Sequence, residues 1–353
     1  MSLISEVTGY IADGAIHALD AYRSGFGAPE NDPPPATPST VIYEGGMVKL
    51  RYYAARGIVR HHTPLLLVYA LIKRPFILDL QPGRSVIEVL VNQGFDLYLI
   101  DWIPPGPEDS WRGFDAYANR DVANAARAVR MHHGDGQISV LGYCFGALLA
   151  LIYTALHRDE VKNLVTLTIP FDMSVRELPM THMMDWMSVD AAETLVAIHG
   201  NVPASMINSG FLAISPIHHL LDKYVGRYRN SARPGYGEMF ELFERWMTSD
   251  VPLAGQIFRE VTSLGRENKL YRNRMTVGGR HADVKSIECP LLNVVAELDD
   301  VVHPKASLPL PDFVSSQDRR NLTFPTGHIG AAVSGPALQK LWPEISRWLS
   351  EHD

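Results

Sequence analysis

A cysteine held between two glycines is the residue in this chain with the clearest chemical potential. Gly142-Tyr143-Cys144-Phe145-Gly146 follows the apolar run Ile138-Ser139-Val140-Leu141 and leads into Ala147-Leu148-Leu149-Ala150. A β run, a Gly-x-Cys-x-Gly turn and a helix of small and apolar residues form the setting in which a nucleophile is lifted onto a tight strand-to-helix turn, with cysteine here where serine is more common. The glycines have a steric task, because side chains at 142 and 146 would collide with the flanking elements. The helix that follows points its amino terminus at the thiol, which favours the thiolate and makes the Phe145 amide an oxyanion donor. A buried structural cysteine is the competing reading. Strand, turn and helix in register favour the nucleophile.

A thiol nucleophile needs a base, and the expected chain order is nucleophile, acid, histidine. Leu291-Leu292-Asn293-Val294-Val295-Ala296 runs into Glu297-Leu298-Asp299-Asp300-Val301-Val302, which puts an aspartate at the carboxyl end of a strand, where catalytic groups of open α/β sheets collect. Asp299 suits the acid loop better than Asp300. Downstream, Phe324-Pro325-Thr326-Gly327-His328-Ile329-Gly330 places a histidine in a glycine-flanked loop before the last helix, and His328 is the expected base. His303 is its nearest competitor and is expected to pack beside the acid loop. The pairs His61-His62, His132-His133 and His218-His219 lack a carboxylate or thiolate at metal-ligand spacing, so no metal site is expected. A second oxyanion amide belongs in the loop after Leu65-Leu66-Leu67-Val68-Tyr69, with Leu71 as the candidate. Arg266, Lys269, Arg272, Arg274 and Arg280 form a loosely basic stretch suited either to a solvated face or to the phosphates of a coenzyme A ester.

These groups require a sheet to bring them together. The runs from Pro64 to Leu71, Asp96 to Trp102, Gln137 to Leu141, Leu164 to Ile169 and Leu291 to Ala296 read as strands buried on both faces, each followed by a helix-competent segment. Thr40–Tyr43 and Val48–Tyr53 around Gly45-Gly46 read as a hairpin. The pattern predicts an α/β-hydrolase fold, a doubly wound and mostly parallel sheet. Residues 39–170 and 281–353 form its core, and 171–280, where the strand rhythm stops, form a helical cap. Residues 1–38 comprise an amphipathic helix over Leu3 to Tyr22 and a proline-rich linker.

At 353 residues and 46% hydrophobic, the chain has ample material for one large core. A net charge of −7 without a Lys/Arg-dense stripe argues against nucleic acid as partner. Cys144 and Cys289 alone offer no disulfide framework, which fits a reducing, cytoplasmic setting. Met1 to Gly14 carries Glu6 and Asp13 and no long apolar run, so no signal peptide is expected. No stretch reaches the roughly 20 apolar residues of a membrane span.

Cysteine in place of serine has a chemical meaning. A thiolate exchanges with a thioester at little cost, and passing the acyl group on to an alcohol then runs downhill, so the residue hints at acyl transfer from a thioester.

From about Val41 onward the chain resembles polyhydroxyalkanoate synthases, particularly the short catalytic subunit of the two-subunit class III type. The resemblance rests on Thr63 to Ile72, Asp79-Leu80-Gln81-Pro82, Gly94 to Trp102, the Cys144 box, Asp222-Lys223-Tyr224-Val225, Gly278-Gly279-Arg280, Pro290 to Asn293 and Gly327-His328-Ile329-Gly330. It implies an acyltransferase in which Cys144 attacks (R)-3-hydroxybutyryl-CoA or a close homologue, with His328 as base and Asp299 behind it. The thioester is substrate, and no cofactor is implied. The resemblance further implies a homodimer, a non-catalytic partner subunit and residence on polyester granules. Two positions depart from the family: Ala147 stands where it usually has a second glycine, and Asp300 stands where it usually has histidine after the acid. A cysteine-nucleophile hydrolase of the dienelactone-hydrolase kind shares the same turn, and a catalytically silent granule-associated subunit would share the fold.

Overall fold

The computed structural model describes residues 32–58, 60–134, 136–177, 188–214 and 236–353. The expected amino-terminal helix, the Asp222-Lys223-Tyr224-Val225 motif and the His218-His219 pair lie outside the described residues.

Continuous apolar runs produce the centre of the molecule. Eight strands form one sheet: β1 (Thr40–Gly45), β2 (Val48–Tyr53), β3 (Leu65–Val68), β4 (Leu97–Trp102), β5 (Ile138–Tyr143), β6 (Val161–Leu167), β7 (Leu291–Ala296) and β8 (Arg319–Phe324). They lie in the order β1-β2-β4-β3-β5-β6-β7-β8. The β1–β2 hairpin and the β2–β4 pairing are antiparallel, and every later pairing is parallel. All residues of β3, β4, β5 and β7 are buried, as expected for strands covered on both faces. β3 is shorter than its apolar run, because the chain leaves the sheet at Tyr69. The strand β8 was not foreseen: Arg319-Arg320-Asn321-Leu322-Thr323-Phe324 is an edge strand, mostly exposed, and lacks the apolar continuity of the others.

Helices cover both faces. On one side α1 (Val86–Asn92) contributes Ile87 and Leu90 to an apolar layer shared with Trp342, Ile345 and Trp348 of the closing helix. On the other, α2 (Val122–His133) and α3 (Phe145–Leu156) supply Val122, Val129, Leu148 and Ile152. The amino end of the described chain is pinned to this frame. Thr37 donates to both carboxylate oxygens of Asp79 at 2.8 Å, and Ser85, which caps α1, donates to the same carboxylate at 2.6 Å.

Between β6 and β7 the described residues add no strand to the main sheet. They form α4 (Val189–His199), α5 (Ala204–Ile214), α6 (Tyr236–Met247) and α7 (Gly255–Glu267), followed by a small ribbon pairing Thr276–Val277 with Arg280–His281. Three helices complete the chain: α8 (Pro304–Ser307), α9 (Gly330–Val333) and α10 (Trp342–Glu351). No helix among the described residues is long and apolar enough to cross a membrane.

Candidate active site

Cys144 stands where β5 ends and α3 begins, with φ 56° and ψ −119°. A non-glycine residue in this region stores roughly 1–3 kcal/mol of strain, which persists only where the surroundings enforce it. Here they do. The Cys144 amide donates to the Leu167 carbonyl on β6 at 2.9 Å, and its carbonyl accepts from the Ala147 amide at 2.9 Å. A Cβ at Gly142 would come within 2.4 Å of the Ala147 Cα, and one at Gly146 within 2.0 Å of the Val68 carbonyl oxygen. Both glycines are therefore steric necessities. Ala147 is itself fully buried in the core, so its methyl group is accommodated.

The acid and base come from adjacent parallel strands. β7 and β8 are in register with Ala296 beside Phe324, so the loops that leave them emerge side by side. Asp299 lies in the first loop and His328 in the second, with His328 Nδ1 2.7 Å from Asp299 Oδ2. The other carboxylate oxygen accepts from the amides of Val301 and Val302 at 2.8 and 2.7 Å, which fixes its orientation. A proton on Nδ1 shared with Asp299 leaves Nε2 for the thiol. Burial by itself disfavours charge on His328, but Asp299 and Cys144 outweigh it and hold the imidazole well above its ordinary pKa. The Tyr143 hydroxyl donates to the His328 carbonyl at 2.7 Å, tying the base loop to the residue before the nucleophile.

Cys144 and His328 share a pocket of about 450 Å³. Its walls come from Tyr69 and Ala70 after β3, Phe243 and Trp246 on α6, and Ile329 beside the base. The half-buried Phe145 opens α3, so its amide is among the helix-terminal N–H groups that lack intrahelical acceptors. Leu71 packs its side chain into the core, while its neighbours Tyr69 and Ala70 line the pocket. Asp300 also lines the pocket and is exposed. His303 lies outside it and caps α8, its Nδ1 accepting from the Lys305 amide at 3.2 Å.

The basic stretch is elsewhere. None of Arg266, Lys269, Arg272, Arg274 and Arg280 lines the pocket. Lys269 bonds Ser263, and Arg280 donates to the Leu156 carbonyl at 2.6 Å. Among the described residues the pocket wall includes Lys73, a cation that sequence reasoning did not single out. It is buried, donates to Asp250 at 2.8 Å and to the Met247 carbonyl at 2.5 Å, and so joins the loop after β3 to the segment after α6. Burial pushes the Asp250 carboxyl up to about 6 despite that partner. Lys73 and Asp250 are 177 positions apart, and no local pattern links them.

Comparison with known proteins places these observations in context. Residues 63–333 match the alpha/beta hydrolase fold family, and residues 34–90 match a family described as the N-terminus of poly-beta-hydroxybutyrate polymerase (PhaC). The chain is 37% identical over 327 residues to the poly(3-hydroxyalkanoate) polymerase subunit PhaC of Haloarcula marismortui, spanning 89% of this chain and 68% of that protein. It is 35% identical over 318 residues to the protein of the same name from Allochromatium vinosum, spanning 89% of each. Among solved structures it resembles a Paleococcus ferrophilus monoacylglycerol lipase, with TM-score 0.55 and 16% identity over 87% of this chain and 99% of that one. A soluble variant of Saccharomyces cerevisiae monoglyceride lipase gives TM-score 0.56 and 12% identity over 93% and 98%. These structural likenesses concern the fold alone.

Proposed function

The chain belongs to the poly(3-hydroxyalkanoate) polymerase family, and from that premise we propose that it joins (R)-3-hydroxyacyl units, delivered as coenzyme A thioesters, into a polyester. Cys144 attacks the thioester carbonyl while His328 takes the thiol proton, and the imidazolium then gives that proton to the departing coenzyme A thiolate. The hydroxyl of another hydroxyacyl unit then attacks the acyl-enzyme and gives its proton to His328, which Asp299 holds in the useful tautomer; the bond from carbon to the Cys144 sulfur breaks and the sulfur regains that proton. The Phe145 amide, and the loop that contains Leu71, stabilise the oxyanion of each tetrahedral intermediate. The thioester carries the activated acyl group, so the reaction calls for no cofactor.

The observation that carries this reading is a strained cysteine facing a buried His328–Asp299 pair inside a pocket walled by aromatic and aliphatic side chains. Such walls favour an alcohol carried on an acyl chain over water as the second nucleophile. Family membership also supports a homodimer working with a non-catalytic subunit at the surface of polyester granules in the cytoplasm.

The test is product analysis with (R)-3-hydroxybutyryl-CoA and a longer homologue. Insoluble polyester accompanying thiol release is the expected result. Free hydroxy acid as the sole product would assign the site to a cysteine hydrolase instead, and no acyl adduct on Cys144 would leave the chain a silent subunit.

A further inference from the structure

Tyr69 occupies the position directly after β3, at the start of the loop that faces the nucleophile turn. It is 3% exposed and lines the same pocket as Cys144 and His328. Its main chain is held firmly. The Trp102 indole donates to its carbonyl at 2.8 Å, and a Cβ at Gly146 would come within 2.7 Å of that carbonyl group, so the Tyr69 backbone lies against the turn itself. Its ring meets Tyr143 edge-on at 5.6 Å.

The two buried phenols differ at their tips. Tyr143 donates to the His328 carbonyl. The Tyr69 hydroxyl meets the Trp246 indole, whose N–H can only donate, so the phenol oxygen accepts there and its own proton is left over. The same indole N–H also donates to the Arg74 carbonyl at 2.9 Å, and the phenol lies within electrostatic reach of the Cys144 sulfur. The indole offers the phenol proton no acceptor, so it stays available to an oxygen entering the pocket. Burial, reinforced by the nearby thiol, holds the phenol well above its ordinary pKa, so it keeps its proton and remains a donor.

We propose that the Tyr69 hydroxyl is a catalytic hydrogen-bond donor to the acyl oxygen of the bound thioester, completing the oxyanion hole together with the Phe145 amide. This rests on the reading of Cys144 as the acylated nucleophile. As the sulfur–carbon bond forms, the carbonyl π electrons move to oxygen and Tyr69 stabilises that charge. On collapse the electrons return, the carbon–sulfur bond to coenzyme A breaks, and the proton held by His328 passes to the leaving thiolate. The phenol donates a hydrogen bond throughout and loses no proton.

The variant Tyr69→Phe removes the oxygen and keeps the ring. First-turnover thiol release from (R)-3-hydroxybutyryl-CoA is expected to fall about 10- to 100-fold, with KM changed by less than about threefold, as for a donor used chiefly in the transition state. Alkylation of Cys144 by iodoacetamide forms no oxyanion, and its rate and pH profile are expected to stay as in the parent protein. An unchanged first turnover overturns the proposal. So does an equal fall in alkylation, which would mean that Tyr69 acts on the thiol, and so does a fall confined to chain elongation. Cys144→Ala is run alongside: thiol release at the parental rate in that variant would remove the acyl-enzyme reading itself, which is a different failure from normal acylation in Tyr69→Phe.

Discussion

Two histidine–aspartate pairs in this protein have the same heavy-atom separation and opposite surroundings. His328 Nδ1 lies 2.7 Å from Asp299, and His352 Nε2 lies 2.7 Å from Asp318. The first pair is buried at the carboxyl ends of β7 and β8, where its carboxylate also accepts two backbone amides. The second joins the end of the chain to the approach to β8, and its carboxylate side chain is 57% exposed. There the imidazole uses its remaining nitrogen on the Trp348 carbonyl at 2.7 Å and lays its ring against that tryptophan. His328 keeps its second nitrogen for chemistry, while His352 spends both on structure. Contact distance does not make a catalytic pair. Burial and a second ring nitrogen turned to a strained nucleophile instead of to structure do, because low local dielectric strengthens the one interaction and solvent screens the other.

Substitutions at the two pairs and at the thiol can break or sharpen this contrast. The largest effect belongs to the residue that only the first pair serves. Cys144→Ala is expected to abolish thiol release from hydroxyacyl-CoA and to prevent any acyl adduct detectable by mass spectrometry, while circular dichroism stays unchanged. His328→Gln is expected to lower kcat for thiol release by roughly two orders of magnitude or more, the size associated with losing a positioned base. His303→Gln serves as the control, and a greater loss there would reassign the base.

A third expectation concerns stability. The native His328 pKa lies above its unfolded value, so the contribution of the Asp299 pair is fully present below about pH 6.5 and is lost as pH rises through the raised native value. Denaturant titrations of Asp299→Asn are therefore expected to show a deficit on the order of 3 kcal/mol in mildly acidic solution that shrinks in alkaline solution. A deficit independent of pH would mean that Asp299 acts through its two amide contacts and not through the imidazole. The smallest effect is expected from His352→Gln, under about 0.5 kcal/mol by the same titration and with kcat unaltered, because an exposed pair is screened. A loss like that of His328→Gln would end the distinction between the two pairs.

The strands on the central axis were legible because burial on both faces leaves an unbroken signature, as in Leu65–Val68 and Leu291–Ala296. β8 was not, since an edge strand answers to solvent on one side and carries Arg319 and Arg320 without penalty. The nucleophile turn was equally local. Gly142 and Gly146 are required by contacts that any chain folding through this turn would meet, so they mark it in the primary structure. Lys73 and Asp250 left no trace, because their partnership exists only where the loop after β3 meets the segment after α6. Tyr69 was visible as part of an apolar run and not as a polar group, because nothing in the run reveals that its hydroxyl would face the pocket that holds Cys144.

The amino-acid order by itself determined the central strands of the sheet, the strained turn that bears Cys144, and the chain order of thiol, carboxylate and imidazole. These follow from short-range sterics and from the periodicity of burial. How closely the imidazole meets the carboxylate, which aromatic groups wall the pocket and which phenol faces the thiol were decided only by tertiary structure. Each depends on the register between strands and on loops converging from distant parts of the chain, and no local rule carries that information.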